Sequence, residues 1–184
     1  MVVVTSIVLV DNVRFGGAVR LESFAYDVAL SIRQAQLYGI SVARFGASFS
    51  SGFGVHFDIM SPTEYVMFAD VVTPADWRYN NGGNPDEKVQ SSAMSGGFFI
   101  KKICATSSTG ETCSDQNGGP QTLDIFFIRP DPDAHISRGG GDSCISNASA
   151  CQSAARIQLQ SPRGNKMDVT IDASGQISVG RLLN

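Results

Sequence analysis

Hydrophobic positions in the first quarter of the chain follow two patterns. MVVVTSIVLV is apolar almost throughout, whereas Leu21, Phe24, Ala25, Val28, Ile32 and Ala35 recur at spacings of three and four, with Glu22, Asp27, Arg33, Gln34 and Gln36 mostly off that stripe. Such spacing marks one face of a helix, and it predicts an amphipathic helix to about residue 42. Gly16 and Gly17 stand between the two patterns. Each costs a helix interior about 1 kcal/mol relative to alanine, so a bend or break is expected there.

FGASFSSGFG then reads as a connector, since it lacks the Gly-Lys-Ser/Thr ending of a phosphate loop. From there the period becomes two: Val55, Phe57 and Ile59 alternate with His56 and Asp58, and Tyr65, Met67 and Ala69 with Val66 and Phe68. This predicts two strands joined by a turn at Ser61-Pro62. Residues 74–95 are polar and Gly-rich and read as a surface excursion anchored by Trp77 and Tyr79. Further strands are expected at 97–104, 122–129, 154–160, 166–171 and 176–180, the last two joined by Asp172-Ala-Ser-Gly175. With no later helix to cross over parallel strands, the expected fold class is α+β: one long N-terminal helix packed on an antiparallel sheet head of about seven or eight strands.

Composition adds bounds to this picture. The chain has 184 residues, 42% apolar and 17% charged, which suits one globular domain. A formal net charge of -3 gives no overall pull toward nucleic acid, so any such site must be a local cluster of cations. The apolar start is shorter than the roughly 20 residues that cross a bilayer and carries neither a basic leader nor a small-residue cleavage site.

Cys104, Cys113, Cys144 and Cys151 lack the two-residue gaps of redox motifs and zinc knuckles. Each close pair brackets a polar stretch, and closing a short loop costs less entropy than crossed pairing, so Cys104 with Cys113 and Cys144 with Cys151 is the favoured arrangement. The alternative is four reduced, partly buried thiols in a cytosolic protein.

Candidate chemistry is sparse. His56 and His135 lie in separate apparent strands without a Cys or His partner at ligand spacing, and read as surface or satisfied strand histidines. No Gly-x-Ser-x-Gly elbow, His-Glu-x-x-His helix or dinucleotide glycine fingerprint occurs. Asp70, Asp76, Asn80, Asn81, Asp86 and Glu87 are rich in oxygen but lack EF-hand spacing, and read as solvated loop acids. Asn147-Ala148-Ser149 fits a glycosylation sequon, a pattern that chance produces often. No catalytic residue, metal or cofactor is expected.

YDVALSIRQAQLYGISV, above all its Ile32 to Gln36 core, resembles the helix segment of type IV pilin-like minor pseudopilins of the GspH/FimT-like family. FDIMSPTEYVMFAD, LDIFFIRPDPDAHIS and MDVTIDASGQISVGR resemble its strand segments in the same order, so the likeness covers nearly the whole chain. It implies a non-enzymatic structural or initiating subunit of a type IV pilus or type II secretion pseudopilus. Residues 1–22 would be the remnant of a hydrophobic anchor and filament core, and 23–184 a globular domain with its helix ending near 43. The partners implied are other pilins or pseudopilins, met through the N-terminal helix, and the bacterial inner membrane before assembly, with the head periplasmic or extracellular. Val3, Ile7, Val8 and Val10 would pack into filament or lipid, and Phe24, Val28 and Ile32 would fix head to helix. The family's basic leader, Gly cleavage site, Phe and Glu are not in this sequence; Val2 to Val10 resembles the back half of such a helix, so those features are expected upstream. Some FimT-like pilins bind DNA through a C-terminal Gly-Arg-x-Arg; here Gly180-Arg181-Leu182-Leu183 lacks the second arginine. Arg156, Arg163 and Lys166 could gather with Arg181, which keeps DNA uptake as an alternative and a secreted ligand-binding β-domain as a further one.

Overall fold

The spacing that predicts a helix produces one, α1, over Val2–Ile40. In this computed structural model the described residues are 2–41, 43–46, 51–71, 74–82, 86–139, 144–145 and 150–181, with side chains described from Gly16 onward. The expected break at Gly16-Gly17 does not occur: the helix passes through both. Two glycines cost about 2 kcal/mol in a helix interior relative to alanine, a loss of stability that does not forbid the helical conformation, and the turns after them are held by burial of Leu21, Ala25 and Val28. Among the described residues no helix is long and apolar enough to cross a membrane.

Ten strands follow among the described residues, more than the seven or eight expected. They are β1 (Phe53–Asp58), β2 (Glu64–Ala69), β3 (Lys88–Ala93), β4 (Phe99–Ser107), β5 (Gly110–Cys113), β6 (Thr122–Phe127), β7 (His135–Arg138), β8 (Ala154–Gln160), β9 (Lys166–Asp172) and β10 (Ile177–Gly180). All ladders are antiparallel, and they form two five-stranded sheets, ordered β3-β2-β1-β6-β7 and β10-β9-β8-β4-β5. The strands that pattern reading misses are β3 and β5, each at a sheet edge, whereas β7 forms where His135 reads as part of a strand. The excursion expected over 74–95 ends in β3, in which every side chain is exposed or half-buried and the two do not alternate regularly. An edge strand with one wet face needs no apolar alternation.

The core lies where the stripe of α1 meets the inner faces of both sheets. Leu21, Ala25, Val28, Ile32 and Ala35 are buried against Phe53, Val55 and Phe57 of β1, Leu123, Ile125 and Phe127 of β6, and Ile157, Val169 and Ile171 of β8 and β9. Gly39 lets the last helical turn close onto β6, because a Cβ there would fall against the Phe127 carbonyl. The N–H of Arg129 donates to the Gly39 carbonyl at 3.1 Å, giving that end of the helix a backbone partner. Gln36, 5% exposed, donates from Nε2 to the carbonyls of Pro132 (2.8 Å) and Gly175 (3.4 Å), joining the helix to the β9–β10 turn.

Both disulfides join near neighbours, Cys104 to Cys113 and Cys144 to Cys151. Cys104 and Cys113 are direct cross-strand partners on β4 and β5, so the bridge staples the β5 edge onto its sheet.

Candidate functional site

Side chains outside the core of α1 define a second apolar face. Val19, Tyr26, Leu30 and Leu37 are 46%, 51%, 64% and 55% exposed, at sequence steps of seven, four and seven. At about 100° per residue these four fall within about 40° of one another, and the buried stripe centres roughly 200° around the axis from them. One helix thus carries two nearly opposite apolar stripes. The inner one is filled by the sheets; the outer one faces solvent. Glu22, Asp27, Arg33 and Gln34 occupy the flanks.

Val28 and Ile32 are fully buried in the core, and Phe24 is half-buried with its ring 5.1 Å from that of Phe98. The side chains of Val3, Ile7, Val8 and Val10 lie outside the described residues, although their backbone belongs to α1. The outer stripe is not among the residues that the single-stripe pattern picks out. Its signal in the sequence is the 19, 26, 30, 37 spacing, a second apolar face on the same helix.

The four cations proposed for DNA are divided. Arg156, on β8, is tied in place: its Nε and one terminal nitrogen donate to Glu111 at 2.9 and 2.6 Å, and the other donates to Asp168 at 3.0 Å. Glu111, by this hydrogen bond, holds the Arg156 guanidinium protonated well above its ordinary range, and the Glu111 carboxyl is lowered in turn, first by the hydrogen bond from Arg156. Gln158 completes the cluster by donating to Asp168 at 3.0 Å. Arg163 sits in the β8–β9 turn and Lys166 opens β9. Arg181 follows β10, whose Gly180 pairs with Asp168, so these three share one end of the sheet. Leu182, Leu183 and the sequon at Asn147 lie outside the described residues.

The outer face of the first sheet holds a separate aromatic cluster. Phe68 and Phe126 flank Gly54, where a Cβ would come within 2.7 Å of the Phe68 ring. Trp77 stacks on Phe126 and lies 4.4 Å from His135, while Tyr79 packs on Phe68 and His56. The anchoring expected of Trp77 and Tyr79 is therefore present. Trp77 takes a φ of 57°, a left-handed conformation rare for a bulky residue. Burial lowers the His135 imidazole below its usual pKa, against the opposing pull of Asp133 and Asp131. Burial also raises the Tyr79 phenol, with Asp86, Glu87 and Glu64 adding to the effect.

The loop acids are not uniformly solvated as expected: Asp70 is 6% exposed and Glu87 fully buried. Asp70 accepts from the N–H groups of Asp76 and Trp77 at 3.0 and 2.8 Å, and Glu87 accepts from Asn80 N–H at 2.8 Å. Their chemistry holds a turn-rich segment whose backbone donors lack strand partners. His56, on β1, meets Asp124 on β6 at 2.7 Å, and Asp124 is 3% exposed. Cys104, Glu111 and Cys113 converge closely enough to suggest a metal, but the two sulfurs are joined to each other and Glu111 is held by Arg156.

Compared with known proteins, the chain matches no family model, no curated protein and no solved structure.

Proposed function

We propose that this chain is a non-enzymatic minor pilin or pseudopilin, a structural or initiating subunit of a type IV pilus or type II secretion pseudopilus. The observation that carries the reading is the helix with two opposed apolar stripes. The inner stripe builds the head; the outer one, Val19, Tyr26, Leu30 and Leu37, continues the apolar character of Val2 to Val10 and has no sheet to cover it. Exposed apolar surface in line along one helix is stabilised by packing against other apolar helices or lipid. The two disulfides suit a head that folds outside the cytoplasm, periplasmic before assembly and on the fibre afterwards. The pilin-like fold itself is part of this proposal, supported by the motif order and by a helix that spans both sheets.

The test is incorporation. In cells producing the full-length protein, Leu30→Glu combined with Leu37→Glu puts two charges on the outer stripe and leaves the core untouched. The variant head should melt like the parent and be lost from sheared fibres or from co-purification with the other subunits. A variant with an unchanged melt that enters the fibre as the parent does would exclude the outer stripe as the assembly face.

A further inference from the structure

The His56–Asp124 pair opens onto a cleft of about 270 Å³ on the outer face of the first sheet, lined on its walls by His56, Asp58, Glu64, Tyr79, Asn81 and Lys88. Asp124 fixes the imidazole: its carboxylate holds Nδ1 at 2.7 Å and also accepts the Tyr79 N–H at 3.3 Å, so the ring nitrogen left for a ligand is Nε2. The other groups are loosely occupied. Tyr79 Oη donates to Asn81 at 3.5 Å and Ser91 Oγ to Glu64 at 3.3 Å, both at the long limit of a hydrogen bond, and Asp58 gives one oxygen to the Met60 N–H at 2.8 Å.

We propose that this cleft binds a hydroxyl-rich ligand, a single sugar ring at the end or along the edge of a glycan. The balance of donors and acceptors selects the class. A purely cationic ligand would meet the Lys88 ammonium, and a purely anionic one the Asp58 and Glu64 carboxylates. A sugar's vicinal hydroxyls donate and accept along one edge, and so satisfy carboxylates, imidazole, ammonium and amide together. The volume is just below the roughly 300–1,000 Å³ of sites for drug-sized ligands, which suits one ring rather than a chain. An apolar ligand would leave these polar groups desolvated and unpaired. The cleft lies on the first sheet, separate from the outer stripe of α1, so sugar binding and subunit assembly are independent properties.

Saturation-transfer NMR on the folded protein, with the methyl glycosides of glucose, galactose, mannose and N-acetylglucosamine as probes, tests this directly. At least one glycoside should receive signal, and Glu64→Ala with Lys88→Ala, both on exposed positions of β2 and β3, should weaken its binding at least tenfold. His56→Gln, which keeps a polar group but loses the fixed ring, should weaken it as well. Absence of signal from all four probes overturns the proposal. So does signal that the Glu64 and Lys88 changes leave intact, because the sugar would then sit elsewhere. Methylguanidine shifting the amide resonances of Glu64 and Ser91 while no glycoside does would overturn it in favour of a cation site.

Discussion

Two positions one half-turn apart on α1 separate the inner from the outer stripe. Ile32 is fully buried, whereas Leu30 is 64% exposed. Ile32→Ala removes three carbons from the core, about 2.4 kcal/mol at about 0.8 kcal/mol each. The cavity left between β1, β6 and the helix adds roughly 1 kcal/mol or more, since sheets on two sides limit collapse. The expected loss is about 3–4 kcal/mol, or roughly 6–16 °C in Tm for a domain of this size. Leu30→Ala removes a similar volume from the solvent face and should change stability by less than about 0.5 kcal/mol. Urea unfolding followed by far-UV circular dichroism, with thermal melts beside it, measures both. Equal losses at the two positions would refute the two-stripe reading, because Leu30 would then belong to the core; a negligible loss at Ile32 would refute the packing of α1 on the sheets.

Three further outcomes follow from the same packing. Gly39→Ala, a change worth about 1 kcal/mol of gain in an open helix, should instead destabilise by about 2 kcal/mol or more, read from the urea midpoint, because the new Cβ meets the Phe127 carbonyl of a central strand. Replacing Cys104 and Cys113 together by serine should cost about 2–3 kcal/mol by loop entropy, measured against the parent under oxidising conditions. For His135 the folded pKa lies below the ordinary 6.5, so the folded state binds fewer protons than the unfolded one as pH falls past that value. Its contribution is complete above about pH 6.5 and declines on acidification. Urea midpoints from pH 7.5 to 5 should therefore fall more steeply for the parent than for His135→Gln; identical slopes would remove His135 as a source of the acid sensitivity.

What sequence could and could not reveal divides along physical lines. The helix, β1 and β2 are legible because an apolar face toward the core imposes a period on residues such as Val55, Phe57 and Ile59, while β6, buried on both faces, is legible as the short apolar run Leu123 to Phe127. Edge strands escape that rule. Lys88 to Ala93 and Gly110 to Cys113 are held by ladders and a disulfide rather than by apolar alternation, so their composition resembles a loop. Asp70 and Glu87 are buried rather than solvated for a related reason: a carboxylate that accepts backbone N–H groups is buried by the segment it organises, and sequence does not show where those donors point. His56 and Asp124 lie 68 residues apart, and their pairing depends on the β1–β6 register. The outer stripe differs, since Val19, Tyr26, Leu30 and Leu37 are close in sequence and were readable once a second face was sought.

Gln36 has a mechanical consequence. Its side chain bridges two carbonyls far apart in the chain, and three residues later the Gly39 carbonyl accepts from Arg129, so the last turns of α1 are fastened to the head by polar bonds as well as by apolar contact. The interdigitated apolar contact already resists displacement, and the hydrogen bonds add directional ties that lengthen within a short movement. The C-terminal turns of the helix and the β9–β10 turn are thus coupled by bonds that fix direction as well as contact.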